Sequence, residues 1–168
     1  MFSRLLLLVS LLLSQSSWAG SISEYEMKAT YLYNFAVFTE WPKNEGDTFN
    51  LCILGQDNFG TALNRIEGKM VHGRRLFVAR LNSLSAIRRC DLLYITDRES
   101  NRLGSIFSEL GDTPVLTVSE AGGSNASAAI SLALEGQRLV FDINVLRARN
   151  ARLSISSKLL QLARSLQQ

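Results

Sequence analysis

Apolar and polar positions alternate with two periods along this chain, and the switches between them mark out its elements. The longest patterned run is Ser23–Pro42, SEYEMKATYLYNFAVFTEWP. It opens with Ser23 and Glu26 in the Ser-x-x-Glu arrangement of a capping box, and it stops at Pro42, which cannot continue a helix. At about 100° per residue, Tyr25, Met27, Ala29, Tyr31, Leu32, Phe35, Ala36 and Phe38 share one broad arc, interrupted by Lys28 and Thr39. The opposite side carries Glu26, Thr30 and Asn34, but also Tyr33, Val37 and Trp41. The first arc predicts a core helix laid on a sheet. The second apolar stripe predicts a surface that also meets a partner or a second copy.

Shorter elements follow. Phe49–Leu54 (FNLCIL) reads as an apolar strand ended by Gly55, and Asp57 as the cap of a helix to about Ile66 with Phe59, Leu63 and Ile66 at helical spacing. Arg74–Leu81 is a second strand. A short helix capped by Ser83 leads to Cys90. Asp91–Thr96 (DLLYIT) is apolar almost without a break, as in a strand covered on both faces. Asp97 or Ser100 starts a helix with Leu103, Ile106, Phe107 and Leu110, closed by Gly111, and Pro114–Val118 is a fourth strand. After the glycine-bearing loop Ser119–Ala126, Ala129–Leu134 and Leu139–Asn144 form a hairpin. Asn144–Ala151 and a segment capped by Ser156 or Ser157 are the last helices. The expected fold is one α/β domain: a largely parallel sheet of five to six strands flanked by helices, with an antiparallel hairpin at one edge.

The first residues change the picture of where this domain resides. Met1–Ala19 places Arg4, then apolar Leu5–Leu13, then Ser17-Trp18-Ala19 before a cut, the pattern of a secretory signal peptide whose apolar core is too short to span a membrane. The expectation is an exported protein, periplasmic in a bacterium and not membrane-embedded, with residues 20–168 as its single domain. Removing Arg4 leaves 17 basic against 15 acidic residues, a net charge of +2, too small to argue for nucleic acid. The charge is unevenly placed. After Asp142 come Arg147, Arg149, Arg152, Lys158 and Arg164 with no acid, a face that is either solvated or turned towards an acidic partner or membrane surface. Cys52 and Cys90 are the only cysteines; in an oxidising compartment they favour a disulfide over two buried thiols.

Catalytic chemistry finds little support. The chain has no G-x-S-x-G, H-E-x-x-H, Walker A or G-x-G-x-x-G pattern. His72, the only histidine, reads as a turn residue in His72-Gly73-Arg74-Arg75. Asp97 stands where a phosphate-receiving domain carries its acceptor, but the accompanying acidic pair and lysine are missing, so it reads as a helix cap. Asp91 and Asp142 read as carboxylates satisfied by backbone or arginine. No metal or cofactor is expected. Gly122, Gly123 and Ser124 could line a ligand cleft at the carboxyl ends of parallel strands, with a plain connecting loop as the alternative.

Taken together, EYEMKATYLYNFAVFTEWP, LCILGQDNFG, GKMVHGRRLFVARL, the cysteine before DLLYIT, VLTVSE, the GG loop, LVFDIN and LSISSKLLQLAR resemble the YfiR family of exported proteins from about Glu24 to Arg164. The resemblance implies a non-enzymatic, dimeric periplasmic repressor. Such a protein restrains an inner-membrane diguanylate cyclase through its periplasmic sensor region, lowering cyclic-di-GMP and biofilm formation. An OmpA-like outer-membrane lipoprotein with a peptidoglycan-binding domain sequesters the repressor. The resemblance also implies a Cys52–Cys90 bridge that supports the fold; the second cysteine pair of some relatives is missing here. Exposure logic nominates Tyr33, Val37 and Trp41, then Arg147, Arg149 and Arg152, as partner contacts. The competing reading is a periplasmic small-molecule carrier or sensor that binds near the GG loop.

Overall fold

Between residues 48 and 54 the side chains of Phe49, Leu51 and Ile53 enter one apolar cluster and those of Cys52 and Leu54 another, so this strand has no solvent-facing side. The structure, a computed structural model, describes residues 23–42, 46–120 and 128–168. Its helices are α1 (Glu24–Val37), α2 (Leu103–Leu110), α3 (Val145–Asn150) and α4 (Ser157–Leu162), with 3-10 turns at Ala62–Arg65, Leu84–Arg89 and Asp97–Arg102. Its strands are β1 (Thr39–Glu40), β2 (Thr48–Leu54), β3 (Met70–Val71), β4 (Arg74–Leu81), β5 (Leu92–Ile95), β6 (Leu116–Glu120), β7 (Ile130–Glu135), β8 (Arg138–Asn144), β9 (Ser154–Ile155) and β10 (Ser165–Gln167).

Eight strands form one sheet in the order β10-β8-β7-β6-β5-β2-β4-β3. β2 pairs in parallel with both β4 and β5, and β6 and β7 continue the parallel array. β8 returns antiparallel to β7, β10 joins β8 in parallel, and β3 lies antiparallel on β4. The sheet is therefore mixed and wider than five to six strands, and the hairpin is not its edge. β3 and β10 are two and three residues long, too short to leave a periodic signature in sequence. From β2 the chain steps outward to β4, then crosses back to β5, β6 and β7, so the winding reverses between β2 and β5.

Both faces of the sheet centre are covered. Ala29, Leu32, Phe35 and Ala36 of α1 pack with Leu63, Ala148, Leu159 and the inward side chains of β2, β5 and β8. Ile87, Ile106, Leu110 and Val115 cover Cys52, Leu54, Leu93 and Ile95 on the other side. All four residues of β5 are buried, as the unbroken DLLYIT run predicts.

The capping box forms: Glu26 N donates to Ser23 Oγ and Ser23 N to Glu26 Oε2. Yet α1 ends at Val37 rather than near Pro42, because Thr39 and Glu40 pair antiparallel with Ile155 and Ser154. Its freed carbonyls find partners there. Phe38 O accepts from Ser156 N at 2.9 Å, and His72 Nε2 lies 3.2 Å from Ala36 O and 2.8 Å from Thr39 O. The helix expected from Asp57 to Ile66 is only the 3-10 turn Ala62–Arg65, although Phe59, Leu63 and Ile66 are all buried. Asp57 serves Phe59 N and Arg80 instead of capping a longer helix. Asp97 opens a 3-10 turn and caps nothing; Thr96 holds the cap position with its hydroxyl unbonded.

β2 and β5 are neighbours, and Cys52 and Cys90 are joined by a disulfide with their Cα atoms 5.8 Å apart. Closing a loop over a separation of 38 residues contributes about 4 kcal/mol in the chain-entropy account. Reduction, or Cys52→Ser with Cys90→Ser, should therefore lower the melting temperature by roughly 10 °C. Superimposable melting curves with and without reductant, with free thiols verified, would show that the bridge does not stabilise the fold.

Candidate partner-binding surface

Two polar networks fix α1 and the sheet before any surface is considered. At the helix start, Lys28 is 4% exposed and bonds Glu24 at 2.6 Å and Glu120 at 3.0 Å, with its ammonium 4.7 Å from the Tyr25 ring centroid. Burial alone would lower the Lys28 pKa; the hydrogen bonds and charges of Glu24 and Glu120 outweigh it and hold the value above that of an ordinary lysine. The Tyr94 hydroxyl donates to the same Glu120 carboxylate, and burial first, then Glu120, pushes its pKa upward, so the phenol stays neutral. Lys28 reads in sequence as an interruption of the apolar arc. That misfit is the one sequence signal that a buried carboxylate partner had to exist.

At the opposite end, the amino ends of the parallel strands, Arg74 Nη2 donates to Asp91 Oδ2 at 2.7 Å and its guanidinium also bonds Thr48 O. Asn50 N donates to the same Asp91 oxygen at 2.7 Å. Removing one partner from a buried pair of this kind costs about 3–5 kcal/mol. Trp41 completes the cluster. It is 8% exposed, donates from Nε1 to Asp91 O at 3.2 Å and meets Phe49 edge-to-face at 5.1 Å. Trp41 therefore lies beyond α1 and inside the core. The exposure on which its nomination as a contact rested is absent, because the β1–β9 ladder ends the helix first.

The remaining nominated residues occupy separate places. Tyr33 is half-buried beside β3, donating to Met70 O at 3.1 Å under the Lys69 ammonium. Val37 is half-buried against the core at the end of α1. Asn144 caps α3, its side chain accepting from Arg147 N, and the chain leaves the helix through Arg152 at φ +58°. Arg147 stacks over the Phe107 ring at 4.4 Å and Arg152 Nη2 reaches Asp112 O at 3.4 Å, so both tie α3 to the α2 side of the sheet. Arg149 is exposed, beside a shallow recess with Val145, Leu153 and Leu160. The structure thus places Arg147 and Arg149 on one short helix, with Arg152 in the turn that leaves it, and sets Tyr33 apart from them. Gly122, Gly123 and Ser124 lie outside the described residues, in the link from β6 to β7.

Just after α4, Arg164 bonds Asp142 and Glu135, and Ser165 Oγ donates to Asp142 at 2.7 Å. The Arg164 hydrogen bonds lower the Asp142 pKa below the usual carboxylate value. Among the described residues no group of three or more His, Cys, Asp or Glu could hold a metal ion, and no helix is long and apolar enough to cross a membrane.

A doubly wound sheet with buried ion pairs at both ends of its strands defines a single-domain α/β protein. The chain belongs to the YfiR/HmsC-like family, whose model matches residues 25–164. Its fold is similar to the crystal structure of a conserved domain protein from Vibrio cholerae O1 biovar El Tor strain N16961, with a TM-score of 0.54 at 11% sequence identity. That likeness covers 86% of this chain and 60% of the Vibrio chain, and it speaks for the fold alone.

A depressed carboxylate stabilises the folded state above its unfolded pKa of about 4 and loses that contribution as pH falls through the lower folded value. Arg164→Gln should therefore lower the urea midpoint at pH 7, and the gap from wild type should narrow towards pH 2. An equal gap at both pH values would remove the Asp142–Arg164 pair as its origin.

Proposed function

We propose that this protein is a periplasmic, non-enzymatic repressor that binds the periplasmic sensor region of an inner-membrane diguanylate cyclase and lowers cyclic-di-GMP and biofilm formation. The observation that carries the reading is the family match over residues 25–164, nearly all of the predicted exported domain. The physical mechanism is a population shift. The protein binds the inactive state of the cyclase more tightly than the active one, and its differential affinity sets how far output falls. An OmpA-like outer-membrane lipoprotein relieves repression by competing for the repressor. The repressor acts as a homodimer.

The contact surface of this reading is centred on α3. Arg149 is exposed there beside apolar Leu146, and Arg147 and Arg152 flank it on a segment without acids after Asp142. An acidic strip on the sensor region complements such a surface. Tyr33 and Val37 form a second contact at the far side of α1, suited to the other copy in the dimer.

Charge reversal tests this directly. Arg149→Glu should raise intracellular cyclic-di-GMP to the level of the gene deletion while periplasmic abundance and melting temperature stay at wild-type values. Wild-type repression by a stably accumulated Arg149→Glu protein would take α3 out of the interface. Unchanged cyclic-di-GMP on deletion, in cells that express the cognate cyclase, would remove the repressor reading itself.

A further inference from the structure

The end of the sheet remote from α3 holds a polar cleft that the repressor reading does not use. The winding reverses between β2 and β5, and the segments that follow these strands meet at their carboxyl ends, where Gln56 Oε1 accepts from Arg98; this is the general location of ligand sites in open α/β sheets. A cavity of about 590 Å³ opens there beside the end of β4, within the size range of small-molecule sites. Gly55, Gln56, Asp57, Arg80, Asn82 and Glu99 line it.

Its walls are held in place before any ligand arrives. Gly55 has φ +93°, and a Cβ there would lie 2.5 Å from Thr96 Oγ1 and 2.8 Å from Glu99 Cγ, so only glycine fits this floor. Asp57 accepts from Phe59 N at 2.9 Å and from Arg80 Nε at 3.0 Å. Gln56 Oε1 accepts from Arg98 at 2.6 Å, and Glu99 Oε2 from Arg102 at 2.9 Å.

These pairings also decide what the cleft recognises. Both carboxylates of the lining are compensated, Asp57 by Arg80 and Glu99 by Arg102, while Arg98 directs a guanidinium N–H to Gln56 Oε1. Hydrogen-bonding capacity remains: the second Arg80 terminal nitrogen, the Gln56 amide N–H groups, Glu99 Oε1, and the whole Asn82 amide, which bonds nothing among the described residues. Donors and acceptors interleaved on a wall with no uncompensated carboxylate match hydroxyl groups, each of which both donates and accepts. We infer that the cleft at the carboxyl ends of β2 and β4 binds a neutral polyhydroxylated molecule of mono- to disaccharide size.

Backbone-amide NMR titration of the full exported domain with glucose, N-acetylglucosamine and maltose tests this, with inorganic phosphate as the ionic control. Saturable shifts centred on Gly55, Gln56 and Asn82 are expected for at least one sugar and not for phosphate. Asn82→Ala, a surface change away from the Asp57–Arg80 pair, should weaken that sugar at least tenfold while leaving the melting temperature of the free protein unchanged. Overturning results are no saturable shift with any of the three sugars, shifts centred elsewhere, tighter binding of phosphate, or full affinity in a folded Asn82→Ala protein. Sugar binding and cyclase repression are read independently, so either can fail without the other.

Discussion

The rest of the structure follows from having two adjacent strands, β2 and β5, with no face left for water. A strand buried on both sides obliges the chain to supply two covering layers, and about 150 residues leave little else to supply them with. One layer is α1, extended by the 3-10 turn at Ala62–Arg65 and by α3 and α4 from the far end of the sequence. The other is assembled from α2 and the turn at Leu84–Arg89. The disulfide belongs to the second layer and joins the central strand to the entry of its neighbour, so it reinforces the sheet where both covers must meet.

Polar groups are distributed according to the same constraint. With the middle of the sheet apolar, charge is admitted only at the ends of the strands, and there it is paired. Lys28 with Glu24 and Glu120 closes one end, and Arg74 with Asp91 the other. Buried pairs of this kind add little net stability, since desolvation offsets most of the attraction, but a shifted register would leave each charge without its partner. They fix where α1 lies along the sheet. The two ends are thereby free to differ: basic and outward-facing at α3, polar and concave beyond β2 and β4.

Much of this was legible in sequence where a pattern was long enough to carry a period. FNLCIL and DLLYIT read as strands because every position must be apolar, α1 because its cap and its stripe agree, and the β7–β8 hairpin because two runs flank a glycine turn. Reading failed where partners distant in sequence override local preference. The wheel runs on past Val37 to Trp41, but pairing between Thr39 and Ile155 stops the helix first. Asp57 reads as a cap and instead meets Arg80. Arg147 reads as a free surface charge, since nothing nearby in the chain announces Phe107 as its stacking partner. The polar cleft is spread over three segments, and the amides of Gln56 and Asn82 have no local signature that distinguishes them from ordinary loop residues.

The width of the sheet has a colloidal consequence. Eight strands present two edges, and an exposed edge is a template on which another chain can add. Here the edges are β3, two residues long, and β10, three residues contributed by the tail just before Gln168. They cover Arg74 and Arg75 of β4 and Asp142, Ile143 and Asn144 of β8. Arg164 fastens β10 to Asp142 and Glu135, so the outer rim of β8 from Asp142 to Asn144 stays occupied by its own chain. Over that stretch a strand from another molecule finds the hydrogen-bonding groups of β8 already taken.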